Sequence, residues 1–155
     1  MRLFDIFKVQ KFILISEMTS VPFRIMVALA ARGDEQSVIK QAVLYTEKFN
    51  AQLTAIHVNQ PALSQPKGAI GQKVTEEDIQ SRFIEYGYKH IVEDVKIIIE
   101  YDESISKIIN KYADNINLVI LGHRKQTTFN SRIMDSIDEG ISNLLSCPVL
   151  VVQKN

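Results

Sequence analysis

The sequence contains little of several features that define particular classes of protein. Among its 155 residues there is one cysteine, Cys147, so no internal disulfide can form and the reducing cytoplasm is the expected compartment. Lysine plus arginine number 18, as do aspartate plus glutamate, and a chain without net charge has no broad attraction to nucleic acid. Cysteine and histidine do not occur at metal-ligand spacings. We therefore expect neither a nucleic-acid partner nor a metal site.

Long apolar runs are also missing from the N-terminal stretch. Its longest run, residues 12–15, is far too short to span a bilayer, and no small-residue cleavage site follows an apolar core, so a signal peptide is not expected. Three interpretations stay open: an amphipathic helix that docks on a membrane or partner, an extra strand, or a segment foreign to the native protein. We assign residues 1–22 to an N-terminal extension, dispensable for folding over residues 1–16, and expect no membrane contact by residues 1–17.

From residue 23 onward, short apolar segments alternate with amphipathic ones. Apolar runs of this length are typical of strands buried on both faces, and they occur at residues 23–30, 53–58, 95–101, 118–121 and 148–152. The alternation predicts an α/β domain over residues 23–155, with a five-stranded parallel sheet and helices on both faces. Right-handed crossovers leave few arrangements, and we expect the strand order 3-2-1-4-5.

The amphipathic segments carry recognisable helix ends. The first helix is predicted to begin at Asp34, a good N-cap residue, and to end at Asn50. The second is predicted to begin at Thr75, because the three acidic residues that follow suit the positive end of a helix. Apolar stripes over residues 105–113 and 133–145 predict the third and fourth helices.

The predicted strand order places a candidate ligand crevice. In a doubly wound sheet, the crevice opens at the carboxyl ends of the two strands between which the order reverses. For the order 3-2-1-4-5 these are the first and fourth strands, which end near Ala30 and Gly122. Gly122 can act there as a phosphate cradle or as the residue that lets the strand turn into a loop, and we favour the turn.

The C-terminal third resembles the ending of universal stress proteins. Residues 117–124 read NLVILGHR, a polar loop and an amphipathic segment follow, and residues 146–152 read SCPVLVV. The first strand and helix fit the same family, as does the end of the second strand, so the resemblance covers residues 23–153. It implies a Rossmann-like fold of the adenine nucleotide alpha hydrolase type and a role in the response to stress.

That family has two branches, and the residues decide between them. One branch binds ATP through an acidic residue after the first strand and a Gly-x2-Gly-x9-Gly-Ser segment after the fourth. Here the acidic position is Ala30, the second glycine is Lys125, and the last pair is Asp135-Ser136; Gly122 and Ser136 remain. The chain therefore resembles the branch of universal stress protein A, which does not depend on ATP, and we expect no cofactor.

The chemistry of the substituted residues also favours the branch that does not depend on ATP. Ala30 has no acceptor for a ribose hydroxyl, a lysine side chain at position 125 hinders the approach of backbone amides to phosphate, and Asp135 repels it. Arg124 and Lys125 act in the opposite direction, so the alternative is a nucleotide-binding regulatory domain with a degenerate phosphate loop. The candidate crevice residues are Ala30, Val58, Gly122, His123, Arg124, Lys125, Asp135 and Ser136.

No catalytic constellation accompanies this crevice. His57 has no nucleophile or carboxylate at a recognisable spacing, and Cys147, directly before a buried strand, is interpreted as a packing residue. We therefore expect a non-catalytic protein, although a hydrolase of adenine nucleotides shares the fold. The family resemblance implies a homodimer through the apolar fifth strand, with Val149, Leu150, Val151 and Val152 at the sheet edge, and contacts with further proteins.

Overall fold

The computed structural model describes residues 21–61, 73–124, 140–141 and 143–154. Within them, five strands form one parallel sheet in the order β3-β2-β1-β4-β5, which confirms the predicted strand order. The strands are β1 (Arg24–Ala28), β2 (Gln52–Asn59), β3 (Lys96–Tyr101), β4 (Leu118–Arg124) and β5 (Val149–Lys154).

Helices connect the strands as the alternation predicts. They are α1 (Gln36–Phe49), α2 (Glu76–Glu85), a short 3₁₀ helix (Val92–Asp94) and α3 (Ile105–Tyr112). Gly140, Ile141, Asn143 and Leu144 are also helical, and the rest of the predicted fourth helix lies outside the described residues. Residues 1–17, for which the sequence leaves three interpretations open, also lie outside the described residues.

The ends of α1 follow the sequence signals in part. Asn50 ends the helix in the left-handed conformation, at φ 47°, with its N–H directed to the carbonyl groups of Glu47 and Thr46. The predicted N-cap, Asp34, is wrong by one residue, because Glu35 holds that position and makes no side-chain capping bond. The reason is that the Asp34 carboxylate pairs instead with Lys154, at the far end of the chain.

The predicted start of α2 is confirmed by a capping box. Thr75 Oγ1 accepts the N–H of Asp78 at 3.3 Å, and Asp78 Oδ2 accepts the N–H of Thr75 at 2.8 Å. Each side chain thereby satisfies a backbone donor that the helix itself leaves without a partner.

Both faces of the sheet are buried, and they form separate cores. Ile25 and Val27 of β1 face α1 and α2, whereas Met26 between them faces α3 and the helical residue Ile141. Alternation along a strand therefore explains why the strands read as continuous apolar runs. Along β4 and β5, Ile120, Leu150 and Val152 also lie on the α1 face, and the same alternation brings Gly122 and Lys154 to that face.

Candidate functional site

The two strands between which the sequence predicts a crevice, β1 and β4, are neighbours in the sheet. Ala28 pairs with Leu121 at the last register position of β1, and Leu29 extends the pairing to β2 through its N–H, 2.9 Å from the Ile56 carbonyl oxygen. Ala30 follows as an exposed residue. Ala31 then adopts the left-handed conformation at φ 55°, which an L-residue enters at some cost in energy, and the chain turns toward α1.

Gly122 does not turn the chain out of β4, and the turn interpretation is wrong. The strand continues to Arg124, and Gly122 is not among the described residues with positive φ. A Cβ atom at position 122 would instead lie 2.4 Å from Cε of Lys154 and 2.8 Å from Cγ2 of Val38. A glycine at this position leaves room for these two side chains to pass directly over the strand, and this role needs no phosphate.

Lys154 crosses Gly122 to reach two acidic residues at the start of α1. Its Nζ lies 3.0 Å from Asp34 Oδ1 and 3.8 Å from Glu35 Oε1. The side chain of Lys154 is 8% exposed and that of Glu35 1% exposed, so the three charges form a cluster largely removed from water. Charges are buried in proteins when they are paired and hydrogen-bonded, and these meet both conditions.

The Glu35 carboxylate is held by the loop that precedes it. Oε1 accepts the N–H of Arg32 at 2.6 Å, and Oε2 accepts the N–H of Gly33 at 3.0 Å. The Tyr86 hydroxyl donates to the carbonyl of Gly33 at 3.3 Å. Burial, and then the nearby charge of Glu35, raises the pKa of Tyr86, which keeps that hydroxyl protonated as a donor.

His57 on β2 contacts Leu29, the residue that directly follows β1. Its Nδ1 lies 2.7 Å from the Leu29 carbonyl oxygen, and because a carbonyl only accepts, Nδ1 carries the proton. The ring is 8% exposed. This contact gives His57 a structural role, as the link between β2 and the residue that follows β1. Cys147 is half-buried, and burial raises the pKa of its thiol, which favours the unreactive form.

Of the other sequence-predicted site residues, the structure describes Val58, His123 and Arg124. Val58 is buried on the opposite face of the sheet, in the core formed with Met26 and Leu121, and is therefore a packing residue here. His123 is half-buried on β4, and Arg124 is the last residue of that strand. Lys125, Asp135 and Ser136 lie outside the described residues. Ala30 thus lies just beyond the end of β1, and Gly122 lies within β4.

Two charged residues beside the crevice were missed by the sequence analysis, namely Glu35 and Lys154. A signal for Lys154 exists, since the alternation that directs Leu150 and Val152 inward directs position 154 inward as well. A lysine at an inward position requires an acidic partner. The sequence offers no comparable way to choose that partner among 18 acidic residues.

Neither a metal centre nor a membrane span emerges from the described part of the chain. No group of three or more His, Cys, Asp or Glu side chains there is arranged to hold a metal ion. Over the same residues, no helix has the length and apolar character needed to cross a bilayer.

Comparison with known proteins agrees with this architecture. The sequence model described as "Universal stress protein family" matches residues 23–153. No curated protein matches the chain by sequence.

Solved structures of the same kind share the fold. A universal stress protein in complex with cAMP superposes with a TM-score of 0.65 at 14% identity, over 88% of this chain and 100% of the other. The universal stress protein UspA from Lactobacillus plantarum gives 0.59 at 18% identity, over 86% and 99%. One from Archaeoglobus fulgidus in complex with dAMP gives 0.56 at 14%, over 85% and 98%. At such identities the likeness establishes the fold.

Proposed function

Because this chain belongs to the universal stress protein family, we propose that it is a non-catalytic, cytoplasmic stress-response protein. In this proposal it acts as a homodimer and through contacts with other proteins, and it resembles the branch of universal stress protein A in not depending on ATP.

The observation that carries the proposal is the open edge of the sheet at β5. In the described part of the chain β5 pairs with β4 alone, and Val151 on it is 47% exposed. An apolar edge strand has backbone donors and acceptors ready for another strand, and proteins cover or pair such edges. Pairing with the same strand of a second copy about a two-fold axis satisfies both chains at once.

The charge cluster supports independence from ATP. Ala30 has no acceptor for a ribose hydroxyl, and the space above Gly122 is taken by the stem of Lys154. The Glu35 carboxylate accepts the N–H groups of Arg32 and Gly33 in the loop that follows β1. These residues leave the β1 side of the crevice without the groups that hold a polyphosphate.

A nucleotide-binding regulatory domain remains the second candidate. Its support comes from neighbours solved with cAMP and with dAMP, which carry a single phosphate group and therefore need fewer compensating positive groups than ATP does. In this chain, Arg124 and Lys125 would be the cations closest in sequence to Gly122.

The dimer is tested by light scattering during gel filtration at micromolar concentration. The unaltered protein is expected to run as a dimer, and Val151→Lys as a monomer, because a lysine at the pairing edge places two like charges near the two-fold axis. Leu44→Lys is the matched control, since Leu44 is a similarly exposed apolar residue, at 50%, on α1. A monomeric unaltered protein, or a Val151→Lys variant that is still dimeric, would overturn the proposal.

A further inference from the structure

Three aromatic rings meet at the amino ends of the strands, at the opposite end of the sheet from the predicted crevice. The rings of Phe23 and Phe49 have centroids 5.2 Å apart, and those of Phe49 and Tyr45 are stacked with centroids 5.8 Å apart. Phe23 directly precedes β1, and its carbonyl group accepts the N–H of Gln52, the first residue of β2, at 2.8 Å. We call Phe23, Tyr45 and Phe49 the aromatic patch.

The aromatic patch is partly open to water. Phe23 and Tyr45 are half-buried and pack against the core on the α1 face, whereas Phe49, the last residue of α1, is 48% exposed. Single exposed apolar residues are common on protein surfaces. Adjoining aromatic rings at a surface are instead typical of places where another apolar segment packs, so the patch is a candidate docking surface.

The chain itself supplies an apolar segment next to the patch. The described part of the chain begins at Val21, which is 77% exposed and is followed by Pro22 and Phe23. In residues 1–20, which precede it, the longest apolar run is FILI at residues 12–15. The stretch from Ile15 to Phe23 spans roughly 25 Å when it is extended, at about 3.3–3.6 Å per residue. The run can therefore reach every ring of the patch.

We propose that the aromatic patch is the docking site for residues 12–15 of the same chain. Removal of apolar side chains from water drives the contact. A tethered segment meets its site at roughly millimolar effective concentration, which favours it over a second copy of the chain and over a lipid surface.

The proposal is compatible with the other expectations for this chain. The buried residues of both cores lie outside the patch, so docking agrees with the expectation that residues 1–16 are dispensable for folding. Because the patch is at the opposite end of the sheet from the predicted crevice, the inference does not depend on either candidate function.

The experiment places a paramagnetic label next to the apolar run in the full chain. Lys11→Cys carries the label, and Cys147→Ser removes the one natural thiol. Amide NMR then compares the label in its paramagnetic and reduced forms. We expect broadening of the amide signals of Tyr45 and Phe49, and none at Leu29, which follows β1 at the other end of the sheet.

Variants on each side of the contact locate it. Phe12→Ser combined with Leu14→Ser should remove most of the broadening at Tyr45, and so should Phe49→Ser. Leu44→Ser is the matched control, because it alters a similarly exposed apolar residue of α1, at 50%, outside the patch, and it should leave the broadening unchanged. The changes at positions 12 and 14 leave every described residue intact, so the test stands even if Phe49→Ser does not fold.

Other occupants of the patch give different results, and each would overturn the proposal. Broadening that is absent, or that survives the changes at positions 12 and 14, would show that the run does not dock. Broadening that is equally strong between labelled chains and unlabelled ones mixed with them would identify a second copy as the occupant. Binding to vesicles of phosphatidylcholine and phosphatidylserine that Phe49→Ser weakens would identify a lipid surface.

Discussion

Lys154 lies directly across Gly122, so that a Cβ atom at position 122 would be 2.4 Å from Cε of the lysine. The two residues occupy neighbouring strands, with Gly122 on β4 opposite Val152 of β5. The glycine gives the lysine a path over the sheet, and the lysine pairs at the end of that path with Asp34 and Glu35. A glycine that resembles part of a phosphate motif is thereby explained by the packing of the chain on itself.

Gly122→Ala should lower the free energy of unfolding by about 1–3 kcal/mol, the usual cost of overpacking a core. The added methyl group must displace either Lys154 from its ion pairs or Val38, whose Cγ2 would be 2.8 Å away. Chemical denaturation measures the change. Gly140→Ala is the control, because among the described residues its added Cβ would meet no atom nearer than 3.9 Å.

Combining Gly122→Ala with Lys154→Ala tests whether Lys154 or Val38 is the neighbour that destabilises an alanine at position 122. We expect the double variant to lose less stability than the sum of the two single variants, since the alanine at 122 no longer collides with the lysine stem. Additive losses would contradict the relationship between Gly122 and Lys154 and leave Val38 as the contact that requires a glycine.

Calorimetry with Mg-ATP should detect no tight binding. Each lost hydrogen bond to a charged group weakens binding by about 1.5–3 kcal/mol, so the two or three losses at Ala30, Lys125 and Asp135 correspond to roughly a hundredfold or more in affinity. The triple variant Ala30→Asp, Lys125→Gly, Asp135→Gly should bind more tightly than the unaltered protein. A dissociation constant in the low micromolar range or below (roughly 10⁻⁶ M, about 8 kcal/mol of binding) for the unaltered protein would refute this prediction.

Glu100 on the edge strand β3 should contribute stability that is lost in acid. The Tyr112 hydroxyl donates to its carboxylate, and Lys111 Nζ lies 3.3 Å from Oε1. The hydrogen bond from Tyr112, and then that from Lys111, lowers the pKa of Glu100. Because the folded pKa lies below the unfolded one, the contribution is complete above the unfolded pKa, which is about 4.3 for glutamate, and it disappears as the pH falls through the folded pKa.

Urea unfolding between neutral pH and about pH 3 measures this contribution. Glu100→Gln should lose less stability on acidification than the unaltered protein, and Tyr112→Phe should show an intermediate loss. Tyr101→Phe, which alters an exposed tyrosine at the end of the same strand, serves as the control. Identical acid profiles for Glu100→Gln and the unaltered protein would show that the interactions of Glu100 with Tyr112 and Lys111 contribute nothing to the free energy of unfolding.

Thr75→Ala should lower the free energy of unfolding by about 0.5–2 kcal/mol, which is the usual cost of losing an N-cap. The substitution removes Oγ1, the acceptor for the N–H of Asp78, at an exposed position. Thr75→Ser keeps the hydroxyl and should retain most of the stability. Equal stability of the alanine and serine variants would show that the capping bond does not form in solution.

Much of this protein follows from its sequence alone, because the signals are local. Apolar runs and stripes predict the five strands and the helices that connect them, Thr75 marks the start of α2, and Asn50 marks the end of α1. These elements depend on neighbouring residues in the chain and on the period of each regular structure. The strand order then follows from the few right-handed connections that the alternation allows.

The chemistry at the crevice was decided by tertiary structure. Lys154 and Asp34 are separated by 120 positions in the sequence, and no local pattern predicts that they form an ion pair. In the sequence, a glycine at position 122 is compatible with a turn, with a phosphate-binding loop and with a crossing side chain. Its role therefore depends on which atoms the fold brings within contact distance. Glu35 likewise differs from any other acidic residue near a helix start only because the loop amides and the last strand converge on it.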